Sequence, residues 1–175
     1  MRHRTPRWLA GAVLALVSGC SQPFSGAAVN IPAAPIGSVL VYENLGSTIS
    51  ESARASFRNG LVDALRACRL TVIVHDIDPL SLDSGGDDTS IARSLVTRTK
   101  SDALLVIAPA SSLDATYNNA TTYQLRLIDT RSGRLVWQGQ GLVRSGLDFS
   151  SPGSTVGANL VQTIATSRTL TTCPS

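Results

Sequence analysis

At 175 residues the chain is one domain by size, plus whatever is removed or left unfolded at its ends. Its basic excess, 15 Lys and Arg against 12 Asp and Glu, lies in Arg2, Arg4 and Arg7; beyond residue 19 there are 12 of each sign. A near-neutral body with no basic cluster and no interleaved aromatics excludes nucleic acid as the partner implied by charge.

The three arginines are followed by the apolar run Trp8–Val17 and then by Val17-Ser18-Gly19-Cys20. The run is too short to span a bilayer as a helix, and the order basic, apolar, small is that of a secretory signal. The Val-Ser-Gly-Cys box resembles the bacterial lipoprotein cleavage site. That resemblance implies removal of residues 1–19 and lipidation of Cys20 on its thiol and its new amino group. Ser21 follows, where Asp would signal inner-membrane retention, so the resemblance further implies anchoring in a Gram-negative outer membrane, on its periplasmic face. The alternative is an ordinary signal peptide with an incidental cysteine.

With Cys20 assigned to lipid, Cys68 and Cys173 remain as an even pair in an oxidising compartment. A disulfide fixing the extreme C-terminus to the end of the first helix is expected. Two unpaired buried thiols are the alternative. No Cys-x-x-Cys supports a redox role.

Ser21–Pro35, rich in Ser, Gly, Ala and Pro, reads as a flexible tether with a fully extended reach of about 50 Å. The folded domain is expected over residues 36–175. Ser38–Asn44 is a nearly continuous apolar run, the pattern of an interior strand. Ser50 caps a helix to about Arg66 whose apolar face is Ala53, Phe57, Leu61, Ala64, Leu65 and Cys68, spaced at three and four. Leu70–His75 is a second strand rich in β-branched residues. Asp76–Asp88 holds five acids in 13 residues. The ligand order and terminal Glu of a calcium loop are missing, so a solvated acidic loop is expected and no metal. A second helix opens at Thr89 or Ser90 and runs on Ile91, Leu95 and Val96 to about Lys100. Ala103–Ala108 is a third strand, buried on both faces by pattern.

Thr121–Arg144 reads as two strands around a tight turn. Tyr123, Leu125 and Leu127 share one face of the first strand; Leu135 and Trp137 are expected to share one face of the second. Gln124, Arg126, Gln138, Gln140 and Arg144 fall on the opposite side. Asp129-Thr-Arg-Ser-Gly133 supplies the reversal, with Asp and Ser bonding nearby backbone and Gly133 at positive φ. Thr155 to about Arg168 is a last helix on Val156, Leu160, Val161 and Ile164. The order is β-α-β-α-β-β-β-α. It predicts an α/β (α+β) fold, a mixed sheet with helices mainly on one face and the glutamine-bearing side open.

No catalytic constellation emerges. His75 beside Asp76 invites a catalytic or metal reading, but no Gly-x-Ser-x-Gly elbow, His-Glu-x-x-His or cysteine pair completes one. Ser84-Gly85-Gly86 does not continue into a phosphate loop, and Trp137 reads as core filling. An enzyme is not expected, nor any cofactor.

The element order, the box at Cys20 and Asp129-Thr-Arg-Ser-Gly-Arg-Leu-Val-Trp137 together resemble a group of periplasmic lipoproteins with the fold of the TolB amino-terminal domain. The group includes the curli secretion lipoprotein CsgG, the polysaccharide export lipoprotein PelC and the peptidoglycan synthase activator LpoB. The resemblance covers roughly Ile36 to Leu170. It implies a non-catalytic accessory or scaffold subunit of an envelope export or assembly machine, with an envelope protein or a second copy of the chain as partner. A synthase activator and a periplasmic small-ligand binder are the alternatives. No pair of alternating segments of about 10 residues is left over to build a membrane pore, and an activator would need a longer tether. The side bearing Gln124, Arg126, Gln138, Gln140 and Arg144 is the expected interaction face.

Overall fold

The computed structural model describes residues 24–45, 49–76, 96–110, 120–144 and 153–173. Cys20, the acidic run Asp83–Asp88 and the start of the second helix lie outside them. Six strands form one mixed sheet: β1 (Phe24–Ala28), β2 (Ser38–Glu43), β3 (Thr71–Asp76), β4 (Ala103–Pro109), β5 (Ala120–Asp129) and β6 (Arg134–Arg144), in the spatial order β1-β6-β5-β4-β2-β3. β2 pairs in parallel with β3 and β4; β5 and β6 form the hairpin, and β1 closes that edge antiparallel to β6. The helices are α1 (Glu51–Ala67), α2 (helical over residues 96–99) and α3 (Gly153–Thr166).

α1 starts at Ser50, whose hydroxyl accepts from the Ala53 N–H, and carries Glu51 in its first turn and Arg66 in its last, both matched to the helix dipole. Its stripe of Phe57, Leu61 and Leu65 packs with Val156, Leu160, Val161 and Ile164 of α3 onto one side of the sheet, over Val39, Val41, Leu105, Ile107, Tyr123, Leu125 and Leu127. Gly60 and Gly157 bring the two helices into backbone contact. A Cβ on Gly157 would lie 2.3 Å from the Phe57 carbonyl oxygen, and one on Gly60 would lie 2.0 Å from that of Ser154. The Cys68 and Cys173 sulfurs are bonded, tying the end of α1 to the chain beyond α3. On the opposite side Leu40, Tyr42, Leu104, Val106 and Ala108 form a smaller cluster against which Val96 of α2 packs. Two helices therefore cover one side of the sheet, and the described part of α2 covers only the β2–β4 region of the other.

Two expectations are corrected. Ser21–Pro35 is not a free tether throughout, because Phe24–Ala28 is strand β1, with Phe24 buried in the main core. Residues 29–37 then cross the ends of β6, β5 and β4 to reach β2, clipped on the way. Val29 and Asn30 N–H groups donate to the Val136 carbonyl, the Asn30 side-chain amide donates to the Leu135 carbonyl, and the Ala33 N–H donates to Asp129 at 2.7 Å. The second correction concerns the hairpin. Leu127 pairs with Trp137 but Ile128 pairs with Leu135, so Val136 is an extra residue in β6. This bulge switches the alternation, placing Leu135 across from Ile128 on the outer side while Trp137 stays on the helix side.

Asp102 and Asp129 hold the lower end of the sheet together. Asp102 accepts from the Gly37 and Ser38 N–H groups at 3.0 and 2.9 Å and from the Ser38 hydroxyl, and pairs with Arg131. Asp129, buried, accepts from Ala33, Arg131 and Ser132 N–H groups. Burial pushes both carboxyls up, but these donors outweigh it and hold both pKa values below the ordinary carboxylate range. Their contribution to stability is complete above the unfolded pKa of about 4 and is lost as pH falls through the lower folded values. Acid titration followed by circular dichroism should show stability falling below about pH 4, and Asp129→Asn should flatten that limb. An unchanged acid limb in the variant would show that Asp129 is not the linked group.

Candidate interaction face

The open outer side of β1, β6 and β5 is a grid fixed by register. One row runs Ala27, Gln138, Arg126, Val106; the next runs Ser25, Gln140, Gln124, Ala108; Leu142 opposite Thr122 begins a third. The grid passes from small side chains on β1, through amides on β6 and β5, to the buried apolar cluster on β4. Gln124, Gln138 and Gln140 are exposed and Arg126 is half-buried. Together with Ser25 and Ala27 they line a shallow, open depression of about 440 Å³. Arg144 occupies the last register position of β6, opposite Ala120, and its side chain lies outside the described residues.

The chemistry of this face is that of a surface which is wet at times and dry at others. Each glutamine offers an N–H donor pair and a carbonyl acceptor, so it can be satisfied by water or by a partner without removing a full charge from solvent. Arg126 supplies the cation. Its Nε is buried and has no hydrogen-bond partner among the described residues. A buried donor left unpaired costs about 1–3 kcal/mol.

The other residues singled out in the sequence lie elsewhere. His75 sits in edge strand β3 opposite Tyr42, half-buried, and the side chain of Asp76 lies outside the described residues. Among the described residues no three His, Cys, Asp or Glu gather as a metal site. Glu43, almost fully buried, pairs with Arg58 of α1 at 3.2 Å. With Asp102 and Asp129 committed to backbone donors, these three acids serve the fold. The apolar gap between sheet and helices, lined by residues such as Phe57, Ile107 and Tyr123, has about 10 Å³, room for one water and not for an organic ligand.

No family model and no curated protein matches the chain. Solved structures are similar at low identity. The PelC dodecamer from Paraburkholderia phytofirmans is 18% identical over 87% of this chain and 99% of that one, with TM-score 0.48. The lipoprotein GNA1162 from Neisseria meningitidis is 18% identical over 74% and 99%, with TM-score 0.43. The LpoB C-terminal domain from Salmonella enterica is 20% identical over 65% and 87%, with TM-score 0.41. At these values no function passes from those proteins to this chain.

Sequence alternation placed Gln124, Arg126, Gln138 and Gln140 on one side, and the register puts them in adjacent rows. Ser25, Ala27 and Leu142 are further members of the face. Leu142 continues the Gln138, Gln140 alternation and was legible in principle. Ser25 and Ala27 were not, since nothing in Phe-Ser-Gly-Ala-Ala distinguishes an edge strand from a linker.

Proposed function

We propose that the chain is a lipid-anchored, non-catalytic accessory or scaffold subunit of an envelope export or assembly machine, and that it meets a protein partner through the open face of β1, β6 and β5. The observation that carries this reading is the half-buried Arg126, whose Nε has no hydrogen-bond partner among the described residues, set among exposed glutamines on a sheet side that no described helix covers. Glutamine and arginine, rather than Lys and Glu, suit a surface that is intermittently buried. The Val-Ser-Gly-Cys box supports attachment at Cys20 to the periplasmic side of an outer membrane, where confinement to two dimensions raises effective concentration and lets weak lateral contacts suffice. The alternative of a synthase activator reaching the cell wall loses support from β1, which takes Phe24–Ala28 out of the free chain.

The test is a photocrosslinker at Gln138 in intact membranes. Wild-type protein should give a discrete adduct, either to a second copy or to another envelope protein. Arg126→Glu with Arg144→Glu should abolish it while circular dichroism stays unchanged, because Arg126 belongs to neither buried cluster. Adducts of undiminished yield in the double variant would refute the face as the contact. The anchor has its own test. Cys20→Ser should leave the protein unprocessed or move it to the soluble fraction, and labelled palmitate should enter only the wild type.

A further inference from the structure

We infer that the chain is not held off the membrane on a tether but is seated on it end-on, with the Leu142–Thr122 end of the β5–β6 hairpin against the lipid surface. This rests on the attachment at Cys20 proposed above. Four residue steps separate Cys20 from Phe24, where β1 begins, and even fully extended they span at most about 14 Å. β1 runs antiparallel to β6 with Phe24 opposite Gly141, so the N-terminal end of β1 lies at the same end of the sheet as the C-terminal end of β6. β6 continues in that direction for three more residues, to Arg144, paired with β5 back to Ala120. At 3.4 Å per residue this two-stranded extension rises about 10 Å past the start of β1. The anchor's reach and the height of the extension are thus nearly equal. A lipidated Cys20 brings the extension to the headgroup layer and leaves little freedom to turn over.

Among the described residues one exposed large apolar side chain, Leu142, lies at this end, and two, Val29 and Ile31, lie at the other. Leu142, at the base of the extension, is 51% exposed. Such a side chain suits the boundary between headgroups and acyl chains. Ile31 is 89% exposed but lies beyond the other end of β1, at least about 14 Å farther from the anchor. End-on seating also stands the Gln124–Gln140 face upright beside the bilayer, open to neighbours anchored in the same leaflet.

The experiment uses processed, lipidated protein in phosphatidylethanolamine–phosphatidylglycerol vesicles that carry nitroxide lipids. A fluorophore is placed at Leu142→Cys or at Ile31→Cys, with Thr122→Cys as a substitute for the first if it misfolds. The label at 142 or 122 should be quenched several-fold more than the label at 31. A Gly/Ser insertion of about 12 residues between Gln22 and Pro23, adding a coil of about 20 Å, should remove most of that difference. Equal quenching at the two ends of vesicle-bound protein, or a difference that survives the insertion, would overturn the seating while leaving the anchor intact. Protein that fails to float with the vesicles would overturn the anchor, and the seating with it.

Discussion

Trp137→Ala should lower stability by about 3–5 kcal/mol, a large share of the 5–15 kcal/mol typical of a domain. Trp137 is fully buried on the helix side of the sheet, opposite Leu127 on β5 and Ala28 on β1. Its ring extends over neighbouring backbone instead of standing clear of it. A Cβ on Gly26 would come within 2.2 Å of Cζ2, and one on Gly139 within 2.5 Å of Cη2. The glycines of β1 and β6 are the floor the indole occupies, so truncating it empties a volume that rigid strands cannot collapse to fill. Gly26→Val and Gly139→Val should be damaging for the converse reason, each forcing the ring out of its site. The indole N–H has no partner among the described residues, so Trp137→Phe should cost well under half of what alanine costs. Urea midpoints followed by circular dichroism measure all four. An alanine variant with a wild-type midpoint would mean that the ring does not fill this site.

The same ring shows what a sequence reveals and what it hides. The burial of Trp137 was readable from the alternation Tyr123, Leu125, Leu127 and from a hairpin turn whose Gly133 does adopt positive φ, at 66°. α1, α3 and the five strands from Ser38 onward were readable too: the helices from a spacing of three and four, the hairpin from a period of two, β2 and β4 from continuous apolar runs and β3 from its β-branched residues. What stayed hidden lacked a local signal. β1 has no periodicity, and it becomes a strand because β6 presents Gly139 and Gly141 to it and Phe24 finds the core. The bulge at Val136 inserts one residue, which no alternation rule detects. Asp102 carries no local signal between a helix and a strand, yet it gathers Gly37, Ser38 and Arg131 from more than 25 positions away on either side. The candidate face was half legible for the same reason. Its glutamines are local pattern, whereas the neighbours that complete it arrive by tertiary pairing.

Removing the bridge by Cys68→Ala with Cys173→Ala should cost about 2–4 kcal/mol, which for a domain of this size is a fall of about 5–15 °C in Tm. The bonded residues are separated by 105 positions, so in the chain-entropy view the bridge removes a large closure from the unfolded ensemble, worth at most about 4.7 kcal/mol. The native state loses much less on its removal. α1 and α3 already pack backbone to backbone at Gly60 and Gly157, and Leu170, just before Cys173, is buried in the same core. The double alanine variant should therefore keep its fold and its helix content and lose stability through the unfolded state. Alanine is preferred to serine because Cys68 is buried, and a hydroxyl there would add a desolvation cost unrelated to the bridge. Thiol labelling of unreduced native protein should find neither cysteine free, and reductant should bring the wild-type Tm down to that of the variant. Protein made in a reducing cytoplasm should melt at the variant's temperature and gain the difference on oxidation. A variant as stable as oxidised wild type, or full labelling of both thiols before reduction, would show that helix packing alone fastens the C-terminus to α1.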